Sequence, residues 1–374
     1  MAVAFLTIQF ALTSVATIPF FYWFWVIKNN MESENSRFDP LIDPEITVIL
    51  PTRNEELYIV RKLETIVDEI IGNGKVNVIV ADSDSSDKTR FLAREYLAKS
   101  SLISSRWEVL NLKIRGKSAA LNRCMDDISS DIIVISDTDA CVESGWLDVL
   151  LERFSEDGIG VISGIEDSES LKGSFFNTFY RRSSNNLRVG ESVIESSPIL
   201  EGSLLAWKTE YLQGFRLNEN MNADDSQLSL GAIRRGKRSI IDNRICFKGF
   251  DDRKRTAKEN MRRAQGLTLS LVNNSDLLIR SSRPRVRPIL LNAIFLYVLF
   301  PWVILSLILT TIFGLFYNEG VVSLLNSTLF CLFLLLIVMR RGRALLLGIS
   351  IVIISHLQLI VGKRYSTWEP VRKL

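Results

Sequence analysis

The 374-residue chain has a single histidine, His356, which excludes multi-histidine metal sites and leaves a His-based triad only that one residue, inside an apolar run. Its four cysteines (Cys124, Cys141, Cys246, Cys331) show no Cys-x-x-Cys spacing. Neither a zinc site nor a disulfide framework is indicated, and a reducing compartment is expected. Charge of one sign is not in excess either. The 45 Lys+Arg and 42 Asp+Glu leave +3, too balanced for a nucleic-acid surface, so no nucleic-acid partner is expected. Two phosphate motifs are incomplete. Gly116-Lys117-Ser118 resembles the end of a Walker loop, but Asn111 stands where a glycine is required. Gly158-Ile159-Gly160 has Ser163 in place of the third glycine of a dinucleotide fingerprint. An ATPase or NAD enzyme is unsupported. What remains for chemistry is carboxylates, arginines, hydroxyls and an oxygen-preferring metal.

Long apolar runs, by contrast, are present. Mean hydropathy is +0.17 while charged residues still make up 23%, so the apolar residues are unevenly distributed. Ala2 to Ile27 carries no charge and ends in the aromatic cluster Phe20 to Trp25. It lacks the basic start and small-residue end of a signal peptide and is long enough to cross ~30 Å of hydrocarbon. Further apolar blocks run from Pro288 to Tyr317, Val321 to Met339 and Ala344 to Val361, with Pro301 expected to kink the first. The linker Asn318-Glu319-Gly320 has no basic residue, whereas Arg340-Arg341-Gly342-Arg343 is strongly basic. The positive-inside rule then places Lys28 to Arg287 in the cytoplasm of a multi-pass protein of the cell membrane. Four spans would put the C-terminus outside, yet Lys363, Arg364, Arg372 and Lys373 favour the inside. The last segment is therefore a span or a re-entrant or interfacial helix, and the count is three or four.

Between these blocks strand and helix patterns alternate. Ile46–Leu50, Val76–Val80, Trp107–Leu112 and Ile132–Ile135 read as strands, separated by helices over Glu56–Ile71, from Lys88, and over Ala119–Met125. Near-continuous apolar strands separated by helices indicate a parallel sheet covered on both faces, with ligands at the carboxyl ends of the strands. Polar and acidic residues recur there: Pro51-Thr52-Arg53-Asn54-Glu55, Ala81-Asp82-Ser83-Asp84 and Ser136-Asp137-Thr138-Asp139. Asp137 and Asp139 project the same way if the chain stays extended, and carboxylates suit magnesium or manganese. A polar loop capping the helix at Trp146 is the plainer alternative. Asp224-Asp225 suits a helix N-terminus, and Arg262-Arg263 a solvated helix face beside a membrane.

In combination these motifs resemble the membrane-embedded family 2 glycosyltransferases, the branch with cellulose and hyaluronan synthases. The ordered signatures are Pro51-Thr52-Arg53-Asn54-Glu55-Glu56, Asp82 to Thr89, Gly116-Lys117 with Ala120-Leu121-Asn122, Asp137-Thr138-Asp139, Glu201-Gly202-Ser203 and Asp224-Asp225. They span roughly Ile46 to Gly266. The Gln-x-x-Arg-Trp motif of the synthases is altered to Glu259-Asn260-Met261-Arg262-Arg263, which argues for single addition rather than processive synthesis.

The resemblance implies an α/β fold: a GT-A, Rossmann-like nucleotide-sugar-binding domain in the cytoplasm plus an α-helical transmembrane region of three to four spans. The expected division is 1–28 N-terminal transmembrane helix, 29–266 glycosyltransferase domain, 267–287 interfacial connection and 288–374 transmembrane helices. It also implies site residues. Pro51, Thr52, Asn54, Glu55, Asp82, Lys117, Asp137 and Arg262 would bind the donor. Asp139, with Asp137 as second candidate, would hold manganese or magnesium. Glu201, Gly202, Ser203 and Asp224 would lie on the acceptor side, and Asp225 and Arg262 would be catalytic. The expected reaction is inverting hexose transfer, mannose from GDP-mannose, to a polyprenyl-linked saccharide or other membrane-proximal glycan at the bilayer surface. The alternatives are a polyprenyl-phosphate sugar synthase, a short polysaccharide synthase using UDP-glucose, and a transport or scaffold protein with a degenerate transferase domain.

Overall fold

The computed structural model describes residues 2–30, 39–167, 175–250, 256–316 and 320–365. Asn318, Glu319, Arg372 and Lys373, used above to orient the chain, lie outside them.

One eight-stranded sheet organises the domain between the apolar ends. Its strands are β1 (Ile46–Thr52), β2 (Val76–Ser83), β3 (Trp107–Leu112), β4 (Ile132–Ser136), β5 (Ala140–Val142), β6 (Ile159–Glu166), β7 (Leu204–Lys208) and β8 (Arg238–Gly249). They lie in the order β3-β2-β1-β4-β7-β6-β8-β5. The first four are parallel, as their apolar runs indicate. The other half corrects the expectation of a parallel sheet. β7 runs antiparallel to both β4 and β6, β6 and β8 pair in parallel, and β5 is antiparallel to β8. Two glycines of β6, Gly160 of the incomplete dinucleotide motif and Gly164, have a local reason here. The β6–β8 register shifts between Ile159 and Val161 and between Ser163 and Ile165. A Cβ on Gly160 would lie 2.7 Å from Lys237 Cβ, and one on Gly164 2.5 Å from the Ile245 carbonyl. Glycine permits that approach at a bulge.

Both faces of the sheet are covered. Alternate residues of β1 point to opposite sides. Ile46, Val48 and Leu50 join a core with Ile59, Leu63 and Ile66 of helix Ile59–Ile70 and with Trp146 and Phe154 of helix Trp146–Phe154. Ile49 joins Ile133, Ile135, Leu205, Trp207, Leu121 of helix Lys117–Met125 and Leu228 of helix Asp224–Arg234. Each fully buried Leu, Ile or Phe contributes about 1.5–3 kcal/mol of transfer free energy, so these layers anchor the strand ends.

Three described helices are long and apolar enough to cross a membrane: Ala4–Lys28, Val286–Gly314 and Arg340–Ile360; Ser323–Val338 is apolar but shorter. At Pro301 the helix is locally rearranged: a π-helical stretch, Phe295–Leu299, precedes the proline, which sits in the first turn of helix Phe300–Gly314. The first helix packs on this one through Phe5 and Phe313, and Gln9 donates to Asn326 Oδ1 at 2.5 Å. The last helix behaves differently. The Arg340 guanidinium lies 4.6 Å over the Phe175 ring at one end. At the other, His356 Nε2 is 3.0 Å from Thr268 Oγ1, and Gln265 donates to the Lys363 carbonyl and accepts from Tyr365 N, both at 3.1 Å. Asn222 donates to the Tyr365 carbonyl. Both ends of this helix thus rest on the domain, and Lys363 to Tyr365 lie beside residues 222 and 265. Helix Ala257–Asn273 also runs through the expected boundary at residue 266.

Candidate active site

Three loops converge at the carboxyl ends of β1, β2 and β4. Thr52 and Asp82 are register partners at the last rungs of β1 and β2, and neither is exposed. Thr52 Oγ1 and Asp82 Oδ2 are buried and have no hydrogen-bond partner among the described residues, a pair of polar atoms that a bound group would satisfy. Burial raises the Asp82 pKa, opposed by the Ser85 amide at 3.1 Å and by Arg90, whose Nε is 3.3 Å away. Asn54 sits at φ 53°, and its side-chain oxygen accepts from Ser86 N at 2.9 Å. Glu55 is buried, with its amide donating to Thr89 Oγ1 at 2.7 Å. These contacts zip the first loop to the second. The side chain of Asn54 is engaged in holding that second loop.

The Pro51 carbonyl accepts from Thr138 Oγ1 at 3.1 Å, which brings the first loop against the Asp137-Thr138-Asp139 segment. That segment is a turn rather than extended chain. Asp137 is half-buried and its amide donates to the Ser203 carbonyl at 3.2 Å; Asp139 is exposed. Two carboxylates suit magnesium or manganese, which take one or two protein carboxylates and complete their shell with substrate phosphates. Among the described residues no group of three or more His, Cys, Asp or Glu forms a cage that would hold a metal unaided.

Lys117 joins the halves of the site. It opens helix Lys117–Met125 after Gly116, whose φ of 124° favours glycine. Its Nζ lies 2.7 Å from Asp137 Oδ1 and 2.8 Å from Asp224 Oδ2. Burial opposes its charge, but Asp137 and Asp224 more than offset that and raise its pKa. Asp137 is also shifted up, by burial first, with Lys117 opposing. A Cβ on Gly202 would lie 3.6 Å from both Lys117 Nζ and Asp137 Oδ2 and 3.9 Å from Asp225 Oδ2. Gly202 is therefore the wall against which residues from three distant parts of the chain meet.

Asp224 and Asp225 do begin a helix, Asp224–Arg234, as the plainer reading of the pair has it. The capping role does not follow. The N-cap residue is Ala223 at φ 73°, a strained conformation for alanine, and no side chain caps the helix. Asp224 faces Lys117, and Asp225 Oδ1 accepts from Ser226 N at 2.6 Å. Burial, then Asp224 and Glu201, push the Asp225 carboxyl up to about 7. A carboxylate in that range is half-deprotonated near neutrality, which suits a general base.

Glu201 is buried beside two arginines of helix Phe175–Ile194. Arg181 Nη1 is 2.5 Å from Glu201 Oε2 and its Nε 2.7 Å from Glu166 Oε2, while Arg188 pairs with the other Glu201 oxygen. Burial alone would raise the Glu201 pKa; Arg181, Arg188 and Arg263 hold it down at about 2. Its carboxylate is thus committed to these arginines, and of the Glu201-Gly202-Ser203 loop it is Gly202 and Ser203 that reach the other site residues. Arg262, on helix Ala257–Asn273, is half-buried; burial and then Arg263 lower its pKa, with Glu259, Asp224 and Asp137 opposing. Glu259 stands where the synthases have glutamine because it completes a capping box: it accepts from Thr256 N at 2.7 Å and donates its own amide to Thr256 Oγ1 at 3.2 Å.

Reading the sequence missed three residues beside the site. Arg181 and Arg188 lie in a polar helix with no motif. Lys62 had a signal: a lysine on the apolar stripe of Ile59, Leu63 and Ile66. It is unexposed, and burial lowers its pKa to about 8.

Residues 47–197 match the family model described as glycosyl transferase family 2. The chain is 23% identical over 214 residues to the glycosyltransferase GlyA of Streptococcus pneumoniae, covering 55% of this chain and 30% of that protein. It is 28% identical over 136 residues to a beta-monoglucosyldiacylglycerol synthase of Trichormus variabilis, covering 36% of this chain and 28% of that one. The chain spans about a third or less of the length of these two relatives. Among solved structures, it is similar to the mannosyltransferase PcManGT from Pyrobaculum calidifontis, in complex with GDP-Man and Mn2+. The TM-score is 0.77 at 24% identity, over 96% of this chain and 99% of that one.

Proposed function

We propose that this chain, whose residues 47–197 match the family 2 glycosyltransferase model and whose fold is that of a GT-A enzyme, moves a hexose from a nucleotide sugar to a membrane-proximal glycan, with inversion. The observation that carries this reading is the Lys117 bridge between Asp137 and Asp224. It sets the loops at the carboxyl ends of the parallel strands beside the start of helix Asp224–Arg234.

In this reading Thr52 and Asp82, with their unpartnered buried atoms, line the nucleoside pocket. Pro51, Asn54 and Glu55 shape it. Lys117 and Arg262 face the diphosphate with fixed positive charge, the arginine as a rigid fork. Asp139, aided by Asp137, would hold manganese or magnesium, which when bound neutralises charge on the leaving diphosphate. Asp225 takes the proton from an acceptor hydroxyl as its oxygen attacks the anomeric carbon from the face opposite the leaving group. Asp224 holds Lys117 beside it, and Gly202, lacking a side chain, leaves room for the acceptor. Glu201 fixes that loop through Arg181 and Arg188.

GDP-mannose is the preferred donor. It is supported by the neighbouring mannosyltransferase in complex with GDP-Man and Mn2+, whose fold this chain shares. The acceptor is a polyprenyl-linked saccharide at the cytoplasmic face of the cell membrane. The apolar helices on either side of the domain support that placement. Helix Arg340–Ile360 lies along the interface, since both its ends rest on the domain, which keeps Lys363 and Arg364 on the cytoplasmic side that basic residues favour.

The test is transfer from radiolabelled GDP-mannose and UDP-glucose, each with Mn2+, to polyprenyl-linked saccharide and to polyprenyl phosphate. Mannose on the saccharide is expected. Labelling of the lipid phosphate would replace this reading with a polyprenyl-phosphate sugar synthase, and no transfer from either donor would refute it.

A further inference from the structure

Helix Ile59–Ile70 turns Ile59, Leu63, Ile66, Val67 and Ile70 to the core, and Lys62 lies on that same buried face. An ammonium there is strongly unfavourable unless paired or hydrogen-bonded. Among the described residues no carboxylate is within ion-pair distance of it. Its Nζ donates instead to Ser136 Oγ and to the Ala140 carbonyl, both at 2.7 Å. Ser136 ends β4 and Ala140 begins β5. One ammonium therefore ties together both ends of the turn Asp137-Thr138-Asp139. The tie extends further: Ser136 Oγ donates at 2.8 Å to the Ser203 carbonyl, which also accepts from Asp137 N at 3.2 Å.

We infer that Lys62 is a positioning residue for the donor, clamping the acidic turn closed and fixing it to the Gly202-Ser203 loop. The inference rests on the reading of this turn as the diphosphate site. Two effects of the charge oppose each other. A positive charge under the turn attracts the carboxylates of the turn but repels a bare cation. A nucleotide sugar carries one negative charge on each phosphate, so with one divalent cation it is close to neutral and the field favours neither outcome. The clamp decides the direction, toward tighter donor binding.

The experiment uses the full-length protein in detergent and titrates GDP, and separately UDP, with Mn2+ present. Lys62→Met keeps the length of the side chain and suits its apolar surroundings. It is expected to melt near the wild-type temperature while losing ~10-fold or more in nucleotide affinity, the range for removing a group that orients a metal-binding residue. Donor KM should rise with acceptor KM unchanged. Ser136→Ala keeps the ammonium but removes one anchor, and should lose a smaller part of the affinity. Folded Lys62→Met with wild-type affinity overturns the proposal, as does a parallel rise of both KM values, which would mark a plain core role. If Lys62→Met does not fold, wild-type affinity in Ser136→Ala overturns it. A wild-type protein that binds neither nucleotide refutes the donor-site reading itself, and the clamp with it; that outcome is distinct because it needs no variant.

Discussion

The two halves of the sheet are built on different plans. In β3-β2-β1-β4 each strand is parallel to its neighbours, and each is followed within a few residues by a polar loop at the same edge. Loops 51–56, 82–89 and 137–139 meet because the topology delivers them there. In the half containing β7, β6, β8 and β5 the directions are mixed, and the site residues come from between and beyond the strands. Gly202 precedes β7, Asp224 and Asp225 open a helix after it, and Arg262 follows β8. The first half presents backbone and small polar groups suited to a nucleotide. The second presents a carboxylate whose pKa is raised and a buried arginine network. Burial raises carboxylates in both halves, but at Asp82 and Asp137 the neighbouring Arg90 and Lys117 oppose it, whereas at Asp225 the neighbours Asp224 and Glu201 add to it.

Mutations in the two halves should separate binding from chemistry, with the largest effect expected at Asp225. Asp225→Asn should lower transfer by roughly 10²-fold or more while nucleotide affinity stays near wild type, since only the proton acceptor is lost. Asp224→Asn should be milder, because Lys117 keeps Asp137. Equal losses in both variants, seen as reduced stability rather than turnover, would return the pair to a helix-end role. Asp139→Ala should show the reverse pattern: nucleotide affinity measured calorimetrically with Mn2+ falls ~10–100-fold, and chelation of the wild type mimics it. Full activity in excess chelator would remove the cation from the scheme.

Glu201→Gln should act on stability first. It leaves Arg181 and Arg188 buried without their shared counter-charge, at a cost of about 3 kcal/mol readable in the denaturation midpoint. The pH dependence has a defined sign. Glu201 is held at about 2 against an ordinary 4.5, so its contribution is complete above pH 4.5 and lost as pH falls toward 2. Asp225 is shifted the other way, from 3.8 to about 7. Its protonated form stabilises the fold at acid pH, and that contribution is lost as pH rises through 7. Transfer should rise over the same interval as the base loses its proton, with nucleotide affinity nearly flat. A rate that is level between pH 5 and 8, a range spanning that pKa, would contradict the assignment of Asp225.

The legibility of the site follows the same division. Pro51 to Glu55, Asp82 and Asp137 to Asp139 could be placed from sequence because each follows directly on an apolar strand, so strand and loop are read together. The turn at Asp137 could not: extended chain would send both carboxylates one way, but the Ser203 carbonyl and Lys62 fold the segment so that Asp137 faces Lys117 and Asp139 faces out. Glu201 was placed on the acceptor side by its neighbours, and only its contacts with Arg181 and Arg188 show where its charge is spent. The bulged β6, with glycines at both irregularities, has no clean strand period to read.

Composition and order along the chain were enough for the apolar ends, the four parallel strands and the acidic loops, because hydrophobic period and strand length are local properties. They were enough also to exclude multi-histidine metal sites and to leave paired-cysteine, Walker-loop and dinucleotide-loop sites unsupported. Tertiary structure decided the rest: the mixed half of the sheet, the return of Lys363 to Tyr365 to Gln265 and Asn222, and the bridge from Lys117 to Asp137 and Asp224. It also decided the raised pKa of Asp225, which belongs to no residue type. That shift is the work of burial and of neighbours brought there by the fold, and a sequence carries neither in its spacing.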